Sequence, residues 1–272
     1  MNRRGGPMIL GVPYDGSSSY MRGTAEAPRH IREAFRSESS NAWSESGIDL
    51  AAPGVLADAG DIALNGDDNP RTAIEQAVTR VLEQGGRPLV LGGDHSITYP
   101  IVRAVRRQHP RLAILHFDAH PDLYPEFQGD RYSHACPFAR ILEEKLADRV
   151  VQIGIRTMNE IQREQALRFG VEVIEMRGLH LLGELSFEQP LYISIDVDAL
   201  DPAFAPGVSH REPGGLSTRQ VVDLIHQLRA RVVGADLVEL NPRVDRDGIT
   251  ATTCAKLVKE LAAKMLATDL RE

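Results

Sequence analysis

Residues 116–122 read His-Phe-Asp-Ala-His-Pro-Asp, and residues 194–198 read Ser-Ile-Asp-Val-Asp. Asp118, His120 and Asp122 stand two residues apart, and Asp196 and Asp198 repeat that step. Side chains alternate along extended chain, so each set points to one side. Each set also ends an apolar run, residues 112–115 in one case and 191–195 in the other. Acidic groups are rarely buried unless they are paired or coordinated. A fold that accommodates both runs therefore brings five charged or ligating side chains off the ends of two buried strands.

A sixth group comes from residues 88–96, Pro-Leu-Val-Leu-Gly-Gly-Asp-His-Ser, which read as a strand, a glycine turn and then His95 before a helix. A lone Asp or His near a strand end is ordinarily a cap or a loop residue, and it is the clustering that argues for metal. Oxygen and nitrogen donors without sulfur suit a harder divalent ion such as Mn²⁺ better than a thiolate-type zinc site. Four carboxylates and two imidazoles exceed one ion's needs. Two ions sharing carboxylates would use them all, cancel the charge and supply an activated water for hydrolysis.

The rest of the chain alternates between strand and helix patterns. Strands are expected at 8–12, 89–91, 112–117, 150–155, 171–174, 191–197 and 232–238. Helices are expected at 27–35, 71–84, 97–108, 137–146, 159–169, 218–228 and 250–267. The strands are near-continuous apolar runs, as in a parallel sheet covered on both faces. In open α/β sheets, sites form beyond the carboxyl ends of the strands, where His95, Asp118, His120, Asp122, Asp196, Asp198 and Glu239 all fall. The 272 residues show no linker, repeat or low-complexity tract and are expected to form one domain over 1–272.

Net charge is −7, which argues against a nucleic-acid partner and favours a cationic substrate. No apolar run approaches the ~20 residues of a membrane helix, and no signal-peptide core follows the basic N-terminus. The two cysteines, Cys136 and Cys254, make no disulfide framework. A cytoplasmic home is the expectation.

Gly92-Gly93-Asp94-His95-Ser96, Asp118-Ala-His120-Pro-Asp122 and Ser194-Ile-Asp196-Val-Asp198-Ala-Leu-Asp201-Pro202 resemble the three signature motifs of the ureohydrolases, the arginase and agmatinase superfamily. The similarity runs nearly end to end, from Tyr14-Asp15-Gly16-Ser17 and Pro28-Arg29-His30-Ile31-Arg32 to Asp236-Leu-Val-Glu239-Leu-Asn241-Pro242. Three stretches are most similar to plant-type arginases and their bacterial relatives. They are Tyr132-Ser133-His134-Ala135 with Phe138-Ala139-Arg140, the run from Ala205 to Gly215, and Thr250 through Leu261.

The resemblance implies a three-layer α/β/α arginase-like fold with a mostly parallel eight-stranded sheet. The eighth strand, absent from the apolar pattern, is expected within 47–64. It also implies two Mn²⁺ ions, with Asp118 and Asp196 bridging, His95 and Asp122 completing one ion and His120 and Asp198 the other. Cobalt or nickel would suit the same donors. Asp122 would also accept a hydrogen bond from the attacking water. His134 would pass a proton to the leaving amine, its alternative being a surface histidine. Glu239 would grip a guanidinium through two parallel hydrogen bonds, its alternative being an ion pair with Arg243. Asp94 would stand behind the metals or cap a turn.

The implied reaction is hydrolysis of a guanidinium C–N bond to urea and an amine. L-Arginine to L-ornithine comes first. Agmatine to putrescine, another guanidino acid and formimidoylglutamate are the alternatives. Many agmatinases carry Thr-Gly-Thr-Pro where this chain has Val208-Ser209-His210-Arg211. The loop 123–133 does not match the distal contacts of animal-type arginases; Arg131 there is either a carboxylate contact or a solvated arginine. A metal-bound regulator without catalysis and a single-zinc deacetylase are disfavoured by the full ligand set. By family analogy the chain forms a homotrimer or homohexamer.

Overall fold

The computed structural model describes residues 5–64 and 69–267; the Met-Asn-Arg-Arg start lies outside them. Eight strands form one sheet: β1 (Pro7–Gly11), β2 (Ala57–Asp61), β3 (Arg87–Leu91), β4 (Ala113–Phe117), β5 (Arg149–Ile155), β6 (Glu172–Glu175), β7 (Leu191–Asp196) and β8 (Val232–Val238). The spatial order is β2-β1-β3-β8-β7-β4-β5-β6, with every neighbouring pair parallel. The helices are α1 (Ala27–Phe35), α2 (Pro70–Glu83), α3 (Thr98–Gln108), α4 (Pro137–Glu143), α5 (Glu160–Phe169), α6 (Thr218–Gln227) and α7 (Ile249–Ala267).

The three layers follow from strands that are apolar on both faces. Ile31 of α1, Val221 and Ile225 of α6, and Leu257 and Leu261 of α7 pack on one face with Leu89, Leu115 and Ile193. Val78 of α2, Ile101 and Val105 of α3, and Phe138 of α4 pack on the other with Val90, Ile114 and Tyr192. Asn69, Asn159 and Ser217 cap α2, α5 and α6 with their side-chain oxygens, so polar residues mark the helix starts that the apolar period leaves vague.

The eighth strand falls inside the expected 47–64 window, as β2 at the sheet edge. Its sequence, Ala-Asp-Ala-Gly-Asp, has no apolar run because it is largely exposed. Arg32 of α1 pairs with Asp58 at 2.9 Å and with Asp61, which ties this edge down. Among the described residues no helix is long and apolar enough to cross a membrane.

The order of the sheet decides where the site sits. β3 and β4 follow each other in sequence, yet β8 and β7 lie between them. Phe117 pairs with Ile195, Ile195 with Leu237, and Leu237 with Leu91. These residues form a row across the four central strands. The segments immediately beyond that row carry His95, Asp118, Asp196 and Glu239, which places them above one switch point.

Candidate metal centre and active site

The chain leaves the four strand ends by tight turns. Gly93 follows β3, where a Cβ would meet the Tyr14 carbonyl oxygen at 1.7 Å, so only glycine fits. Asp94 accepts hydrogen bonds from Ser96 N at 3.1 Å and Ser17 N at 2.8 Å. It thus caps the turn that delivers His95 and joins it to the N-terminal loop. Asp122 and Glu239 have positive φ, 51° and 66°. Such backbone is uncommon for non-glycine residues and collects at functional sites.

His95 is fully buried. Its Nδ1 lies 3.3 Å from Asp118 Oδ2, 3.0 Å from Asp122 Oδ2 and 3.1 Å from Asp196 Oδ2. None of these contacts has hydrogen-bond geometry, and Nδ1 has no partner. A buried polar atom without a partner costs about 1–3 kcal/mol. An imidazole lone pair and three carboxylate oxygens that converge on one point form a donor set for a cation. A second group is Asp118, His120 and Asp198, with ligand atoms within 4.8 Å of one another. His120 Nδ1 is 3.1 Å from Asp198 Oδ2 and 3.3 Å from Asp118 Oδ1. Asp118 belongs to both groups and Asp196 to the first. All six residues expected as ligands therefore come together, and the all-nitrogen-and-oxygen set fits a pair of hard divalent ions.

The electrostatics point the same way. Burial, then the Asp198 and Asp118 charges, hold the Asp196 carboxyl well above its ordinary pKa. Burial and Asp118 push Asp122 up to about 6. Burial opposes a charge on His95, but the carboxylates around it outweigh that and raise its pKa well above the ordinary value. Crowded carboxylates that resist ionising are what a cation relieves.

Three residues to which the sequence assigns no role contact these candidate ligands or one another. His116, Ser194 and Asp236 lie in register across β4, β7 and β8, a polar row inside strands that otherwise read as apolar. His116 Nε2 is 2.8 Å from Asp118 Oδ2. Ser194 Oγ is 3.1 Å from His95 Nε2 and donates to Asp236 Oδ1 at 2.7 Å. Tyr192 and Thr98 donate to the other Asp236 oxygen at 2.7 and 2.9 Å. Their signal was a polar residue interrupting an apolar strand.

A cleft of about 220 Å³ opens over the ligands, lined also by Ser19, Tyr124, His134, Asn159, His210 and Glu239. His134 is buried beside the cleft rather than at the surface, its Nδ1 2.9 Å from Glu239 Oε1 and its Nε2 2.8 Å from Ser19 Oγ. Burial works against its charge, but Glu239 outweighs it, and the imidazole pKa rises to about 9. Glu239 Oε1 also accepts from His95 N at 2.9 Å. That oxygen is thus filled, and Oε2 accepts nothing from the described residues. A two-oxygen grip on a guanidinium is not available while His134 holds Oε1. Arg243, the alternative partner, pairs with Glu26 at 2.6 Å instead. Arg131 pairs with Glu143 at 2.9 Å, outside the cleft. Cys136 is buried and far from thiolate character, burial pushing its pKa up to about 12. His210 faces His134 and His120 with ring centroids 5.3 and 6.0 Å away, a position the sequence left undecided.

The sequence profile of the Arginase family matches residues 6–263. Arginase 1, mitochondrial, of Arabidopsis thaliana is 51% identical over 274 residues, covering 94% of this chain and 80% of that protein. Arginase 2, chloroplastic/mitochondrial, of the same plant is 49% identical with the same coverage of both chains. The solved structure of arginase from Medicago truncatula superposes with a TM-score of 0.92 at 46% identity, covering 96% of this chain and 88% of that one. These relatives' names overturn the expected cytoplasmic home and point to an organelle. Two buried cysteines without a disulfide do not distinguish an organelle matrix from the cytoplasm, so the sequence held no signal against the organelle. The motifs that end β3, β4 and β7, the eight-stranded parallel sheet and these likenesses agree: the chain belongs to the arginase family and is a ureohydrolase, a hydrolase of guanidino C–N bonds.

Proposed function

We propose that this ureohydrolase is a binuclear manganese arginase, converting L-arginine and water to L-ornithine and urea. The observation that carries the metal part is the partnerless His95 Nδ1 among three carboxylates. The substrate part is supported by the plant relatives named arginase. His95, Asp118, Asp122 and Asp196 would hold one ion, and Asp118, His120 and Asp198 the other. When bound, such a pair supplies Lewis-acid chemistry and a water of lowered pKa.

The chain's own residues supply the rest. Glu239 Oε2 receives a guanidinium N–H, and burial makes that charged hydrogen bond strong. His134, kept protonated by Glu239, stands at the cleft as the proton donor to the departing amine. Ser19 on its other nitrogen fixes the ring. His116 and Ser194 orient Asp118 and His95, as the outer partners of ligands do.

The experiment is metal analysis alongside urea release. Purified protein loaded with Mn²⁺ should carry two ions per chain. His120→Ala should lose one of them and nearly all urea release from L-arginine. Full activity with unchanged metal content in that variant would refute the assignment.

A further inference from the structure

The chain between Asp122 and α4 closes on itself. Its neck is shut by the Tyr124 amide, which donates to the Ala135 carbonyl at 3.2 Å. Its tip is a hairpin in which Phe127 and Asp130 exchange backbone hydrogen bonds at 3.0 Å. Gln128 and Gly129 turn that hairpin at φ 51° and 82°, as a two-residue turn with positive φ at both positions requires. His134 stands at the returning end, beside the neck. Two residues before it, the Tyr132 ring packs against Arg71 of α2 at 4.0 Å and Tyr99 of α3 at 6.1 Å.

The base of this loop is α4. Phe138 stacks on His116 at 3.9 Å and meets His95 edge-on at 5.6 Å. Its amide donates to the Asp122 carbonyl at 3.2 Å. Arg140, on the same helix, is 3% exposed and does not line the cleft. Its Nη1 donates to the Pro125 and Arg131 carbonyls, each at 2.8 Å, one on either side of the hairpin tip. Its Nη2 donates to Glu143 Oε1 at 2.8 Å, while Glu143 Oε2 accepts from Arg131 Nη2 at 2.9 Å. Arg140 Nε is buried without a partner. An arginine that served only to pair with Glu143 on its own helix would keep its head in water, where such pairs contribute little. Here the guanidinium is buried with one N–H unmet, and what that burial secures is a grip on both sides of the loop. Lysine lacks the planar fork that reaches two carbonyls and a carboxylate at once.

We propose that Arg140 is a positioning residue for the reaction: through the Pro125 and Arg131 carbonyls it holds the loop closed, so that His134 stands where the departing nitrogen takes its proton. The proposal rests on the reading of His134 as the proton donor. Phe138 and Arg140 share one short helix, so the proton donor and the ligand histidine His95 are referred to one rigid base. Displacement of a reacting group by about 1 Å costs on the order of a hundredfold in rate.

The test compares Arg140→Met and Glu143→Ala with the parent, all loaded with Mn²⁺. Arg140→Met should lower kcat for L-arginine about 10- to 100-fold, with KM within about twofold and metal content unchanged. Glu143→Ala removes the outer half of the clasp without opening a buried space and should lower kcat about threefold. The discriminating substrate is L-canavanine, whose leaving group is an alkoxyamine, a much weaker base that needs a proton less. Its kcat should fall at least about threefold less than that for arginine in Arg140→Met. Hydrogen exchange over residues 124–135 should quicken in both variants. Equal kcat losses on the two substrates, loss of metal, or rates within about twofold of the parent in both variants overturn the proposal. If Arg140→Met fails to fold, Glu143→Ala decides alone by the same criteria. In a parent that releases no urea from any guanidino compound the hydrolytic reading fails by itself, and exchange that stays unchanged in the variants then overturns the clasp separately.

Discussion

Gln152 and His116 face each other across β5 and β4, with the Gln152 amide nitrogen 3.0 Å from His116 Nδ1. The same nitrogen donates to the Pro121 carbonyl at 2.7 Å, which settles the amide's orientation. His116 Nδ1 must accept, so its proton sits on Nε2 and points at Asp118 Oδ2, 2.8 Å away. Burial keeps this imidazole neutral, its pKa lowered to about 4. Gln152→Leu frees the tautomer while leaving the ligands intact. It should weaken Mn²⁺ retention about 10- to 100-fold, the usual cost of losing an outer partner. Metal titration with a competing chelator checks this, and unchanged retention would show that Asp118 is held otherwise.

The carboxylate cluster predicts opposite effects of one substitution. Asp196 has a raised pKa in the folded chain, so the folded state binds more protons there than the unfolded state does. Its contribution to stability therefore falls as pH rises above the ordinary carboxylate range. Chelator-stripped protein should lose stability from about pH 4 toward neutrality, and Asp196→Asn should remove much of that loss and raise the Tm. In the Mn²⁺-loaded protein the same variant should lower the Tm, because binding at a thousandfold excess over Kd contributes about 4 kcal/mol. Calorimetric scans with and without metal read both signs.

His134 titrates upward, to about 9, because Glu239 outweighs its burial. Its proton is available below that value and is lost above it. Urea release should fall through about pH 9 on the alkaline side. His134→Asn should cost about 10²- to 10⁴-fold in kcat, the range of a positioned acid, with metal content retained. A variant that keeps the parent's rate would remove His134 from the chemistry.

The His134–Glu239 pair is also a stability element with a pH window. A raised histidine pKa stabilises the fold fully below the unfolded value near 6.5 and loses that contribution as pH rises through about 9. The loss is at most about 3 kcal/mol. Glu239→Gln should flatten the decline between those pH values in denaturant melts. An unaltered slope would mean that the pair contributes nothing.

Most of the architecture was legible because buried parallel strands print as apolar runs, as six of the eight do, while the edge strand β6, Glu-Val-Ile-Glu, still shows an apolar pair. β2 did not: it lies at the edge, tied by Arg32 to Asp58 and Asp61, and salt links leave no period. The ligand set was legible because its residues cluster just past apolar runs, but not through the extended chain expected of them: β4 and β7 end at Phe117 and Asp196, Asp198 lies in a 3-10 turn and Asp122 has a φ of 51°. The Asp236–Ser194–His95 line was not, since it joins three strands distant in sequence through register alone. Nor could sequence show that Glu239 Oε1 is occupied by His134 and the His95 amide, because side-chain partners across the switch point depend on the backbone turns at φ 51° and 66°.

The most direct measurement is urea release by the Mn²⁺-loaded protein from L-arginine and from agmatine in parallel. The account predicts release from both loaded samples or from arginine alone, with kcat/KM for arginine at least about tenfold higher, and no release after chelation. A preference for agmatine, or activity that survives metal removal, would contradict it.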